Sequence, residues 1–173
     1  MDTTLQQSRA KRYQFLSALF RDEIPFELVK AMQQDSFLTP LNEAVQGCGY
    51  VDLTSGAEVM TQYLKARDTQ TAFEELRFDY AEMFLNAGPN PVFPYESVHA
   101  GGEPVVMQKP VFELREFFRQ AKVHPAPDFP DLEEHIAVQM EFLRHLLENG
   151  DIKGYEQFFK TKYSKWVVPF CDQ

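Results

Sequence analysis

Four prolines between Asn86 and Gln108, at positions 89, 91, 94 and 104, forbid a helix in the middle of a chain whose pattern is otherwise helical throughout. Each removes a backbone donor and fixes φ, and the pair Gly101-Gly102 loosens the segment further. No alternating apolar and polar run is long enough to suggest a sheet. The chain is therefore expected to be all-α: one single-domain helical bundle, residues 1–173, of about seven or more helices with a long proline-rich loop. Loops beyond about 12–15 residues without structure of their own tend to be functional or disordered. This one carries Val92, Phe93, Tyr95, Val98, Val105 and Val106, so part of it should pack.

Helices are expected at about Thr4 to Phe20, with Tyr13, Leu16, Leu19 and Phe20 as the buried stripe, and from Pro25, in the first turn, to Gln34. A third follows, with Pro40 in its first turn, ending near Gly47. A fourth starts at Ser55, where Glu58 completes a capping box. A fifth runs from Thr69 to Leu85, and a sixth from Lys109 to Val123, before the break HPAPDFP. A helix from Asp131 to about Glu148 closes at Asn149-Gly150. The last holds Tyr155, Phe158, Phe159 and Trp166.

Seventeen basic against 26 acidic residues leave a formal charge of −9. That balance disfavours nucleic acid and anionic membrane surfaces and favours a basic peptide. Cys48 and Cys171 form no CxxC or Cys/His cluster, so neither a disulfide scaffold nor zinc is indicated and a reducing compartment fits. There is no signal-type apolar region at the N-terminus and no stretch of about 18 apolar residues, so a cytoplasmic location without stable membrane insertion is expected.

The helix beginning near Asp131 is the most specific part of the pattern. Asp131 can cap it and Glu134 can reach back from the third helical position. At about 100° per residue, Ile136, Met140, Phe142, Leu143, Leu146 and Leu147 share one face, and His135 and Gln139 fall on that same face. Two polar side chains on a buried stripe must bond each other, another element or a ligand, since unpaired burial costs about 1–3 kcal/mol. The bland account is a satisfied core histidine that ties the helix to the loop. Glu141 and His145 have the i, i+4 spacing of a metal pair but lie on the polar face without a third ligand. No HExxH, GxGxxG, P-loop or GxSxG pattern occurs. Ser97 beside Glu96 reads as a turn or capping residue. The acidic run Glu74, Glu75, Asp79 and Glu82 is a solvated face or a landing site for a basic partner.

With both segments in view, DYAEMFLNAGPNPVFPYESV (79–98) and EEHIAVQMEFL (133–143) resemble the tyrosine-containing helix, Pro-Tyr-Glu-Ser loop and acidic-His helix start of the TorD/DmsD-type redox-enzyme maturation chaperones. FFKTKYSKWVVPFC (158–171) is similar to that family's Phe-rich final helix, and the first 78 residues agree in helical layout. The resemblance implies an all-helical chaperone without turnover. Such a protein holds the twin-arginine signal peptide and catalytic subunit of an exported molybdoenzyme until the molybdopterin cofactor is in place. Some members also bind a guanine nucleotide. Carried over residue by residue, it implies peptide contacts from Tyr80, Pro94, Tyr95, Glu96, Ser97, Glu134, His135 and Gln139.

Glu134 stands where the family has aspartate, Leu132 where it has proline, and Gln139 where it has glutamate, which lowers the charge of the pocket and favours a peptide over a nucleotide. A buried His135 that resists protonation could accept a hydrogen bond from an incoming arginine. The family usually continues for one or two further helices. The chain is thus expected to be short or truncated, and monomeric or homodimeric, the dimer with or without exchange of helices. Two other classes stay open: a metal- or nucleotide-dependent hydrolase using His135, Glu141 or His145, and a non-catalytic helical interaction subunit.

Overall fold

A computed structural model describes residues 3–46, 51–100, 103–124 and 132–173. Among them every named element is helical, with one isolated bridge between Tyr95 and His135. Ten α-helices follow one another: α1 Thr3–Arg21, α2 Phe26–Met32, α3 Asp35–Gln46, α4 Val51–Lys65, α5 Thr69–Phe84, α6 Glu96–His99, α7 Lys109–Gln120, α8 Ile136–Glu148, α9 Ile152–Phe158 and α10 Ser164–Cys171. A π-helical turn, Phe159–Tyr163, joins the last two. None of these helices is long and apolar enough to cross a membrane.

The chain divides into two compact units, Glu23–Glu82 and Met1–Asp22 with Met83–Gln173. In the Glu23–Glu82 unit, Val29, Met32, Leu38, Leu64, Ala72 and Tyr80 are buried. Gln33, just past α2, ties the α4–α5 connection together. Its amide donates to the carbonyls of Leu64 (2.9 Å) and Arg67 (3.0 Å), and its oxygen accepts from the Thr69 hydroxyl at 2.6 Å. Asp68 caps α5 by accepting the Thr71 N–H at 2.9 Å.

Three boundaries in this unit depart from the sequence expectation. Pro25 is the N-cap of α2 rather than its first turn. Pro40 lies inside α3, which begins five residues earlier at Asp35. Helix α4 begins at Val51, so Ser55 is an interior residue and caps nothing. In the last two cases the helix starts upstream of the pattern that seemed to start it. Gly47, Cys48, Gly101-Gly102 and Asp131 lie outside the described residues.

In the other unit α1 lies along α8, with α9, the π turn and α10 folding back around them. The apolar face expected of α8 is buried as read: Ile136, Met140, Phe142, Leu143, Leu146 and Leu147 are each at most 4% exposed. The expected closing pair also holds, with Asn149 as C-cap and Gly150 at φ +73°, the left-handed conformation glycine adopts without strain. Helix α1 runs one residue further than expected at each end, but its stripe is shifted. Ala10 and Ser17 are its buried residues and Leu16 is exposed, because Ser17 is drawn inward by a 2.5 Å hydrogen bond to Glu141 on α8.

The sequence holds 16 phenylalanines, and several form an edge-to-face chain: Phe118 on Phe142 (4.8 Å between centroids), Phe142 on Phe158 (4.9 Å) and Phe117 on Phe158 (5.1 Å). Phe158 is fully buried at the junction of two of these contacts. Phe158→Ala is expected to lower unfolding free energy by about 3–5 kcal/mol, measured by urea denaturation, whereas Phe112→Ala, at an exposed position, should change it by less than about 0.5 kcal/mol.

Candidate functional site at the joint of loop and helix

The two segments marked out by sequence meet. The Tyr95–His135 bridge is made by the Ile136 N–H donating to the Pro94 carbonyl (2.9 Å) and the Glu96 N–H to the Glu134 carbonyl (3.2 Å). With Glu134 and His135 used in this pairing, residues 132–135 are not part of the helix expected to start at Asp131. It begins at Ile136, with His135 as N-cap and its Nδ1 accepting the Ala137 N–H at 3.1 Å. That nitrogen is thereby occupied within the helix's first turn. The 2% exposed imidazole packs edge-on against Tyr95, 5.2 Å between ring centres.

The loop also holds the one-turn helix α6, where no helix was expected. No proline falls between Tyr95 and Gly101, and the turn is held from outside. Glu134, fully buried, caps α6 instead of its own helix: Oε2 accepts the Ser97 N–H at 2.8 Å and Oε1 the Met107 N–H at 2.5 Å. Ser97, expected as a turn or capping residue, lies within α6, its hydroxyl accepting the Gln108 N–H at 3.1 Å. One carboxylate and one hydroxyl thus fasten both ends of the loop. Met107 is held there at φ +63°, a strained value for a non-glycine residue.

Behind this joint lies a second polar layer. Gln139, fully buried, donates to Glu96 Oε2 (2.8 Å) and accepts from the Trp166 indole N–H (3.1 Å). Glu96 Oε1 faces Lys162 Nζ at 2.8 Å, with both side chains about 5% exposed or less. The ammonium also donates to the Pro110 carbonyl at 2.7 Å and lies 3.3 Å from Glu113. Burial pushes the Glu96 carboxyl above its ordinary range, opposed by Lys162 and Gln139. Every buried side-chain polar atom among the described residues has a partner. A fully paired set of this kind rigidifies a core and fixes its geometry.

Of the residues assigned to the site, Pro94, Glu96, Ser97, Glu134, His135 and Gln139 are brought together and buried, and Tyr95 is half-buried at their edge. Tyr80 belongs to the Glu23–Glu82 unit, where it is buried on α5. Glu141 and His145 have other engagements, Glu141 with Ser17 and Arg144 and His145 with Asn149. Among the described residues no three His, Cys, Asp or Glu side chains gather where they could hold a metal ion. Lys162 was overlooked, though at about 100° per residue it falls within the arc of Tyr155, Phe158, Phe159, Tyr163, Trp166 and Phe170. A lysine inside an apolar stripe signals a buried counter-charge.

The nitrate reductase delta subunit family matches residues 51–172. The chain belongs to that family. Its relatives include the chaperone protein TorD of Shewanella pealeana, 26% identical over 96% of this chain and 77% of the relative. The TorD chaperone of Pasteurella multocida is 28% identical over 93% of this chain and 80% of the relative. The fold is shared with a chain described as a redox enzyme maturation protein from Archaeoglobus fulgidus, at a TM-score of 0.53 and 18% identity, covering 94% of this chain and 80% of that one. The TorD-type resemblance therefore holds, and alignment with relatives extends well upstream of Asp79, where the motifs begin.

Removing one member of the buried pair should cost far more than removing both. Lys162→Met strands the Glu96 carboxylate and is expected to destabilise the family fold by about 3–5 kcal/mol, while Lys162→Met with Glu96→Gln should recover much of that loss. The pH dependence follows. With its folded pKa raised above the ordinary 4.5, Glu96 holds its proton longer folded than unfolded. Its contribution to stability is thus present at low pH and falls as pH rises from about 4.5 through the raised value. Urea titrations across that window should show the fall in wild type and not in Glu96→Gln.

Proposed function

We propose that this protein is a cytoplasmic maturation chaperone that holds the apoprotein of an exported molybdoenzyme, by its twin-arginine signal peptide, until the cofactor is inserted. The observation that carries the reading is the alignment of TorD chaperones along nearly the whole chain, with the Pro94–Ser97 loop and the Glu134–Gln139 segment meeting in one joint. The role does not require turnover.

Within that reading the joint divides its labour. Tyr95, half-buried, and Phe93, 37% exposed, offer aromatic surface to the peptide. Glu96, Ser97, Glu134, His135 and Gln139 act from behind, fixing the loop's path. An arginine pair suits the edge of an acidic chain, where guanidinium groups find carboxylates and ring faces and the apolar stretch that follows finds hydrophobic surface.

Calorimetric titration of the client's signal peptide tests the reading. The Arg-Arg peptide should bind and its Lys-Lys version should bind at least about tenfold more weakly, since ammonium groups cannot reproduce the bidentate contacts. Tyr95→Ala should weaken the Arg-Arg peptide comparably while leaving the helical circular dichroism unchanged. Absence of binding by any signal peptide of a co-expressed molybdoenzyme would refute it.

A further inference from the structure

The outward strip of α1 is built against the charge of the rest of the molecule. Leu5, Arg9, Arg12 and Leu16 are spaced i, i+4, i+7 and i+11, which at about 100° per residue confines them to an arc of roughly 60° and a length of roughly 16 Å. Leu5 and Leu16, at its ends, are 43% and 38% exposed. Beside it, Arg9, Arg12, Tyr13, Leu16, Tyr155, Glu156, Phe159 and Lys160 line a cavity of about 490 Å³. Its floor is aromatic: Tyr155 and Phe159 stack at 6.0 Å, and the Tyr13 and Tyr155 hydroxyls lie 3.2 Å apart. Three cations line it against a single carboxylate, Glu156, already 3.1 Å from Lys160.

We propose that this strip and cavity form a docking site for an acidic amphipathic helix of a protein partner, one carrying two carboxylates between two apolar anchors. The carboxylates would meet Arg9 and Arg12, and the anchors would cover Leu5 and enter the aromatic cavity beside Leu16. The chain's excess acids do not cancel this local field, because screening confines it to about 8 Å at physiological salt. An inorganic anion or a nucleic-acid backbone would satisfy the arginines but leave the leucines and the ring floor uncovered. The site lies apart from the Tyr95 edge in sequence and chemistry, and it does not depend on the function proposed above.

The probe is a fluorescein-labelled, alanine-rich synthetic helix with Leu, Glu, Glu and Leu at the complementary spacing, compared by anisotropy with versions carrying Gln or Lys in place of Glu. The Glu form should bind at least about tenfold more tightly than either. Arg12→Glu, at an exposed position, should abolish that preference and turn it toward the Lys form, while leaving the twin-arginine titration unchanged. Equal binding of the three helices, or an unaltered preference in Arg12→Glu, would overturn the site. Concentration-dependent dimerisation lost in Arg12→Glu would assign the strip to a second copy and also overturn it. Phosphate displacing the Glu helix at equal concentration would do the same, by reducing the site to a simple anion contact.

Discussion

The buried pair of Glu96 and Lys162 fastens the proline-rich loop to the last part of the chain. Taking two charges out of water costs several kcal/mol per ion, and an isolated contact in the interior does not repay that. Here the remaining valences are filled by Gln139 on one side and the Pro110 carbonyl on the other. Gln139 carries the connection on to the Trp166 indole. A one-turn helix in a proline-rich loop, the start of α7, the core of α8 and the end of the chain are thereby held to one geometry. Apolar packing alone would not select it, since a stripe of leucine and phenylalanine tolerates sliding.

The π-helical turn at Phe159–Tyr163 belongs to the same constraint. An unbroken α-helix from Ile152 onward would keep one apolar face. Lys162, within that turn, reaches Glu96 while Phe158 and Trp166, on either side, both remain fully buried. Such turns are rare and occur mostly as single interruptions of α-helices, frequently at functional sites. His99 is drawn in by the same end of the chain. It stacks on Trp166 at 5.9 Å and meets Phe170 edge-on at 5.4 Å, with its Nε2 2.6 Å from the Phe93 carbonyl.

What was legible in the sequence follows the reach of each signal. The apolar face of α8 was readable because a 3.6-residue period needs only its own residues, and Asn149-Gly150 marked its end. Its beginning was misread because the D-x-x-E pattern is local, whereas Glu134 is claimed by backbone donors 27 and 37 residues away in sequence. His135 and Gln139 were rightly suspected of needing partners, yet those partners could not be named from spacing. Leu16 went astray for the same reason, since the partner that turned Ser17 inward is Glu141, far along the chain. Short-range grammar gave elements, and long-range hydrogen bonds moved their ends.

Burial changes what the family motif means chemically. Residues at most 4% exposed, as Glu96, Ser97, Glu134, His135 and Gln139 are, cannot meet a peptide without the joint opening. Opening would break the Glu96–Lys162 pair, the Gln139–Glu96 bond and both Glu134 contacts together, and would undo the packing around them. A peptide that binds with micromolar affinity has only about 8 kcal/mol in all. The economical arrangement keeps the network shut and lets it act through the surfaces it positions: Tyr95 and Phe93 at the edge of the joint, and the strained Met107 backbone that the Glu134 carboxylate holds in place. In such an arrangement a motif residue acts by holding the loop to one shape.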